Sequence, residues 1–247
     1  MLVIGNALID LDESFQPVWV WSTFDYLDIN RRPMLFPDWT HCNAIVATPD
    51  GHLLLSSRHQ SWIMKLDYAN GAGSGRLLWT LGFGGTFALT GGDPGDWFYG
   101  QHAPSIVATD DARITRLAVV DDGNGRLSLI QSDVAQDKSV PPPGPATPAS
   151  FSRGVIYELD ETLRTARLSW KYEPGFFTWW GGSILVLPNG NVELDLPQPF
   201  ALPNTSSRVL EVTSDQPNPK IVWQMDVSPG NAYRSTRIPS LYPGVQW

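Results

Sequence analysis

The chain has 247 residues, a net charge of −8 and no block rich in Lys or Arg. Nucleic acid and anionic membrane surfaces are therefore not its expected partners. Its single cysteine, Cys42, excludes an intrachain disulfide and a metal site built from cysteines alone. No run approaches the roughly 18 apolar residues of a membrane span. The N-terminal run 1–7 lacks the basic start of a signal peptide and is predicted to be the middle of a strand, which suggests an incomplete start.

One pattern recurs along the chain: a strand of alternating apolar residues ending near Leu-Asp, a polar turn, and a strand ending in Trp. A different hairpin precedes each of the last three copies, so two hairpins make one four-stranded unit. Repeated four-stranded units predict an all-β fold, a β-propeller of four-stranded blades, in a single domain over 1–247. The predicted units are half a blade at about 1–22, full blades at about 39–83, 97–173 and 176–226, and a closing strand at 232–239.

About three and a half blades are fewer than the roughly four to eight that usually close a ring. A four-bladed ring is one interpretation. A part-propeller whose preceding blades are absent is the other, and it is the one we favour. The largest insertion, around Pro141–Pro145, is predicted to be a surface loop or linker, and a short helical turn is predicted near Phe24–Asp28.

The first hairpin carries the candidate site. His41 and Asn43 stand two positions apart, so they share one face if this segment is extended. Arg58 follows the second strand of the hairpin, whose outer ends meet, and it should lie near them. His102 precedes another strand in the same way. Two histidines, an arginine and an asparagine at one point predict an oxyanion-binding site with its own nucleophile.

Each of these residues also has a structural interpretation. His41 and His102 can be histidines that only support the fold, and Arg58 can be an ion-pair partner. His59 would face away from Arg58 in a strand and would pack or orient the hairpin. Cys42 falls on the strand face opposite His41, as a buried packing thiol. No zinc spacing or phosphate-binding loop is present, so neither a metal nor a nucleotide is predicted.

The motifs around these residues resemble the arylsulfate sulfotransferases, PAPS-independent enzymes with a six-bladed propeller. The resemblance covers most of the chain, from about residue 1 to 240–244. Each motif alone is weak evidence for this family, whereas their combination in this order is fairly specific for it. The motifs are Asp38-Trp39-x-His41-x-Asn43, Ser57-Arg58-His59-Gln60, Tyr99-x-Gln101-His102 and Asp122-Gly123-Asn124.

The resemblance implies that His102 becomes transiently sulfated and that His41, Asn43 and Arg58 hold the sulfuryl oxygens. It implies sulfuryl transfer from a phenolic sulfate ester to a phenol, without a cofactor, in a secreted or periplasmic protein. The family has a further active-site histidine on an earlier blade that no residue before His41 can match, so the chain is expected to be truncated or inactive. The residues expected to contact the substrate, with the aromatic ones flanking an aryl ring, are Trp39, Trp97, Tyr99 and Gln101.

The chemistry of the residues is consistent with this implication. Sulfuryl transfer spreads charge over three peripheral oxygens, and a neutral imidazole, available near pH 7, can attack sulfur directly. Two rival functions stay open. One is a propeller that binds a ligand or partner in the same channel without catalysis. The other is a hydrolase that passes the sulfuryl group to water.

Overall fold

The computed structural model describes residues 2–34, 36–126, 151–199, 202 and 204–238. Regular structure within them is almost entirely β-strand, and the short α-helix α1, Thr23–Tyr26, has four residues. The all-β fold and the helical turn near residue 24 are therefore confirmed. None of the described helices has the length and apolar character needed to cross a membrane.

The strands form four sheets, numbered here in chain order. Sheet I contains β1 (Ala7–Leu11) and β2 (Pro17–Ser22). Sheet II contains β3 (Cys42–Ala47), β4 (Leu53–Ser57), β5 (Trp62–Leu66) and β6 (Leu77–Leu81). Sheet III contains β7 (Ala88–Leu89), β8 (His102–Val107), β9 (Ile114–Asp121), β10 (Arg153–Asp160) and β11 (Thr165–Tyr172). Sheet IV contains β12 (Ser183–Val186), β13 (Val192–Pro197), β14 (Ser207–Val212) and β15 (Ile221–Val227).

Consecutive strands pair antiparallel, and only β7 adds in parallel, beside β11. Sheet III is thus five-stranded where four strands were predicted. The turn residues account for the tight hairpins of sheets II and IV. Gly51 and Gly190 have φ angles of +79° and +84°, which residues with a Cβ rarely adopt.

The sheets pack face to face because successive side chains of a strand point to opposite faces. In β4, Leu54 packs towards the core shared with sheet III, whereas Leu55 packs towards sheet I. Sheet III shares its other face with sheet IV through side chains such as Ile156 and Ile184. Both faces of sheets II and III are therefore buried. Among the described residues no sheet closes on itself, so the number of blades in a ring stays a prediction.

The edge strands β3, β8 and β12 of sheets II, III and IV lie beside one another, with β3 next to β8 and β8 next to β12. The loops that lead into these strands consequently meet at one place. This arrangement positions the candidate site.

Two predicted strands are corrected. The closing strand at 232–239 does not form over its described residues 232–238, because the backbone of this run bonds the Ser183 side chain and the Gly182 amide and pairs with no strand. The run 1–7 is not the middle of a strand over its described residues 2–7 either, since β1 begins at Ala7 and Ile4 makes only an isolated bridge to Asp38. The insertion around 141–145 and the end at 240–244 lie outside the described residues.

Candidate active site

His102 is the first residue of β8 and is only 1% exposed. Its Nδ1 lies 2.7 Å from Oδ2 of Asp122, which directly follows the paired strand β9. The backbone N–H of Gly181, in the loop before β12, donates to His102 Nε2 at 3.3 Å. Because Nε2 accepts a hydrogen bond, Nδ1 carries the proton and donates to Asp122. His102 is therefore held as the tautomer whose Nε2 lone pair can attack an electrophile.

Burial and charge keep this imidazole neutral. Burial, followed by the positive charges of Arg58, His41 and Arg234, lowers the pKa of His102 to about 3. Burial also raises the pKa of Asp122 well above its usual range, against the charge of Arg58. Asp122 Oδ1 is buried without a hydrogen-bond partner in the described part of the chain, so Oδ2 can accept from His102 whichever state Asp122 adopts.

Arg58 is buried and begins a short 3-10 helix, Arg58–Gln60, directly after β4. Its Nη1 lies 2.8 Å from His59 Nε2, and its Nη2 donates to the Trp179 carbonyl at 2.9 Å and to Asn124 Oδ1 at 3.2 Å. The prediction that His59 faces away from Arg58 is wrong, because consecutive residues of a 3-10 helix do not alternate as in a strand. No carboxylate within the described ranges forms an ion pair with Arg58.

His41 is partly exposed and lies just before β3. Its φ of +46° is left-handed, so the argument that it shares a strand face with Asn43 does not hold. His41 Nδ1 bonds Asp38 Oδ2, and its ring lies 4.6 Å from the ring of His59. His41 and Arg58 both act electrostatically on His102. Arg58 is linked to the His102 surroundings through Trp179, which lies in the same loop as Gly181.

Asp38, His41 and His59 each offer one metal-ligand atom, and these atoms lie within 4.8 Å of one another. Both ring nitrogens of His59 are engaged, Nδ1 with the Asp38 carbonyl at 2.5 Å and Nε2 with Arg58. A cation bound there would compete with the Arg58 guanidinium for His59. The donor set therefore favours a hydrogen-bonded cluster over a metal centre, and the expected lack of a metal stays a prediction.

Asn43 connects sheet II to sheet III. Its side-chain Nδ2 donates to the carbonyl of Gln101 at 2.7 Å, one residue before His102. Its own carbonyl accepts from Arg234 Nη2 at 2.7 Å. Asn43 Oδ1 is buried and has no partner among the described residues. Asn43 is thus next to the site, with one amide hydrogen already used within the protein.

The four predicted substrate-contacting residues lie in the interior. Gln101 donates from Nε2 to Ser56, Ser57 and Trp62 and so joins sheets II and III. The aromatic rings fill the cores between elements because large apolar surfaces are most stable away from water. Their contacts are the Trp39 indole with the Arg31 carbonyl, the Trp97 ring stacked on Tyr157, and the Tyr99 hydroxyl with the Pro94 carbonyl.

Other aromatic and charged residues surround the histidines instead. Trp179 and Tyr233 are exposed, and the Tyr233 ring lies 5.9 Å from the His102 ring and stacks on Trp180. Sequence reasoning missed Trp179 and Tyr233. For Trp179 a signal was available, because Trp179 and Trp180 precede the edge strand β12 as Trp97 precedes the edge strand β8. For Arg234 the sequence offered no signal.

A family model described as Arylsulfotransferase (ASST) matches residues 2–234, nearly the whole chain. No curated protein matches the chain significantly.

Proposed function

The chain belongs to the arylsulfotransferase (ASST) family, and on that premise we propose that it transfers a sulfuryl group from a phenolic sulfate ester to a phenol through sulfo-His102. Membership of the family confirms the resemblance drawn from the motifs. The family implies an aryl sulfate donor and a phenol acceptor, both small molecules. The observation that carries the proposal is the tautomer of His102, whose Nδ1 contacts Asp122 and whose Nε2 carries no proton, next to the loop that Arg58 contacts at the Trp179 carbonyl.

In the first half-reaction, His102 Nε2 attacks the sulfur of the donor. The N–S bond forms as the S–O bond to the aryl group breaks, and the electron pair leaves on the phenolate oxygen. The Nδ1 proton stays on the ring, bonded to Asp122, where it offsets the charge of the N-sulfo group. A protonated His41 gives its proton to the phenolate, a contribution of about 10²–10⁴-fold in rate.

In the second half-reaction, the acceptor phenol gives its proton to His41 and its oxygen attacks the sulfur. The new S–O bond forms as the N–S bond breaks, and the electron pair returns to His102 Nε2. Both histidines regain their starting protonation states. The net change is exchange of one aryl group for another on the sulfuryl group.

Placed donors supply most of the stabilisation, because the transferring group carries its charge on peripheral oxygens. The Arg58 Nε–H is buried and has no partner among the described residues. The Gly181 N–H, which now bonds His102 Nε2, becomes available to a sulfuryl oxygen once sulfur occupies that position. Asn43 has a second amide hydrogen to offer.

The same proposal covers the architecture. Sheets I–IV are blades of an open part of a six-bladed propeller that uses neither PAPS nor a metal, in a secreted or periplasmic protein. The face-to-face packing of successive, mainly antiparallel sheets and the contacts among the edge strands β3, β8 and β12 support the propeller. The secreted or periplasmic location is supported by the family alone.

A second candidate function is anion or aryl-sulfate binding without turnover. It is favoured by the closure of the nucleophile: Gly181 caps Nε2 and the Tyr233 ring covers one edge of His102. Substrate has to displace both contacts before Nε2 can react.

Kinetics with 4-nitrophenyl sulfate and a phenol acceptor distinguish these functions. We expect parallel lines in double-reciprocal plots, sulfated acceptor as the product, and loss of transfer in His102→Asn. The matched control is His52→Asn, because His52 follows a hairpin turn of sheet II, at the other end of β3 from His41, and contacts Thr48 and Asp67. Binding without turnover would favour the second candidate, and release of free sulfate in place of sulfated phenol would indicate a hydrolase.

A further inference from the structure

The run 233–237, here called the C-terminal segment, is fixed to sheet IV on both sides of Arg234. The Tyr233 carbonyl accepts from the Gly182 N–H at 2.9 Å, and the Ser235 N–H donates to Ser183 Oγ at 2.9 Å. Arg237 pairs with Glu193 and Glu211 on β13 and β14. The backbone of Arg234 is therefore held in place beside the loop that caps His102.

From this position the Arg234 side chain reaches across to sheet II. Its Nη2 donates to the Asn43 carbonyl at 2.7 Å, and the Asn43 amide bonds the residue before His102. Arg234 is exposed, and in the described ranges no carboxylate pairs with it, in contrast to Arg237. One of its five N–H donors is used for Asn43, which leaves the others to a ligand.

We infer that Arg234 is a second anion-binding guanidinium of this site, which contacts the oxygens of the sulfuryl group from the side opposite Arg58. The inference rests on the proposed function and names a residue that binds the transferred group. Arg58 approaches from the buried side through the 3-10 helix after β4, and Arg234 approaches from the exposed rim. Two planar guanidinium groups that pair with no carboxylate among the described residues fit a tetrahedral anion in a chain that is acidic as a whole.

The charges around His102 agree with this geometry. Arg58, His41 and Arg234 all disfavour a further positive charge on the imidazole. The same field stabilises a negative sulfuryl group at Nε2, whereas Asp122 faces the other ring nitrogen. The alternative role for Arg234 is purely structural, as a tie between the C-terminal segment and β3.

Inorganic sulfate, added as its sodium salt, separates the two roles by equilibrium binding. We expect Arg234→Gln to weaken sulfate binding on the order of tenfold and to lower kcat/KM for 4-nitrophenyl sulfate on the order of 10–100-fold. Arg234→Lys should retain part of both. The control is Arg208→Gln, which removes a guanidinium paired with Asp226 on the same sheet. Sulfate affinity in Arg234→Gln equal to that of the wild type would overturn the inference, even if the variant were less stable.

A measurement on the wild-type chain covers the case in which the variants do not fold. Phenylglyoxal modifies exposed arginines, and peptide mass spectrometry reports the rate at each site. We expect saturating sulfate to slow modification of Arg234 but not of Arg113, an exposed arginine paired with Asp111. Transfer activity without this protection would overturn the role of Arg234 alone. A wild-type chain that neither transfers nor binds sulfate would overturn the proposed function and this inference together.

Discussion

At the scale of single residues, the proposed attack on sulfur depends on which nitrogen of His102 carries the proton. The contacts to Asp122 and Gly181 assign the proton to Nδ1. We expect Asp122→Asn to lower kcat on the order of 10²-fold, because an amide can donate to Nδ1 and shift the proton to the attacking nitrogen. Nitrogen NMR of the imidazole measures that shift independently of activity. Full activity in Asp122→Asn, judged against the exposed control Asp111→Asn, would contradict the assigned positioning role.

The lowered pKa of His102 gives a second residue-scale prediction. A folded-state pKa of about 3 means that the imidazole is neutral well below its usual midpoint near 6.5. We therefore expect the His102 ring signals to keep their neutral positions as the pH is lowered from about 8 to 5. Titration of His102 with a midpoint near 6.5 would show that burial and the neighbouring charges do not act as described.

Gly181 has a left-handed backbone conformation, and its N–H bonds the attacking nitrogen of His102. Its φ is +82°, and an added Cβ would lie 2.7 Å from Pro197 Cγ. Gly175 is the matched control, because its φ is +84° and nothing lies within 4 Å of the same added atom. We expect backbone strain to cost both alanine variants about 1–2 kcal/mol of stability. Gly181→Ala should lose further stability, because its Cβ meets Pro197, and it should also lose most of its transfer activity. Equal melting temperatures and equal rates for the two variants would contradict the role given to the loop before β12.

At the scale of elements, alternation of apolar residues and Gly-containing turns was enough to predict the strands of the repeated hairpins, but it did not predict β7 and it wrongly predicted a strand at 232–239. Local pattern could not show that the chain leaves the strand at Arg58 and forms a 3-10 helix, which brings the Arg58 and His59 side chains together. It also could not show that Trp39 and Tyr99 are buried, since an aromatic residue before a strand can face a core or a ligand. The C-terminal segment was predicted as part of a closing strand, because its actual contacts to residues 182, 183 and 43 are long-range and leave no local pattern.

Sheet IV contains a buried carboxyl that the proposed chemistry does not use. Asp195 on β13 has no side-chain hydrogen-bond partner among the described residues, and burial, then the charge of Glu193, raises its pKa to about 7. A raised carboxyl pKa means that the folded state binds the proton more tightly than the unfolded state does. Protonation of Asp195 therefore contributes fully to the free energy of unfolding below about pH 3.8, and this contribution is lost as the pH rises through about 7.

We therefore expect Asp195→Asn to raise the free energy of unfolding by on the order of a few kcal/mol at pH 8 and by less at pH 5, so that the melting temperature rises more at pH 8. The amide has nearly the same shape and does not ionise. Thermal unfolding at the two pH values measures the difference. A stabilisation that is equal at both, or larger at pH 5, would contradict the assignment.

At the scale of the whole molecule, the row of sheets has an apolar face exposed at each end. On sheet I, Ile9 pairs with Val20 and both side chains are exposed, as is Val18. On sheet IV, Trp223 and Met225 of β15 stand two positions apart on one face and are both exposed. A single exposed apolar side chain is normal on a protein surface. These residues instead form contiguous apolar patches, which are typical of interaction surfaces.

We expect these patches to bind the dye ANS, and Val20→Lys to reduce its fluorescence with little change in melting temperature, because Val20 is already in water. Leu163→Lys is the control, since Leu163 is exposed in a turn outside both patches. If the two variants lowered ANS fluorescence equally, sheet I would not present a continuous apolar face.

The most direct test of sulfuryl transfer through His102 is mass spectrometry of the chain after brief incubation with 4-nitrophenyl sulfate and no acceptor. We expect an acid-labile sulfuryl group on the peptide that contains His102, which disappears when a phenol is added and sulfated phenol forms. Transfer to the phenol that persists in His102→Asn, with no sulfation of His102 in the wild type, would contradict the account.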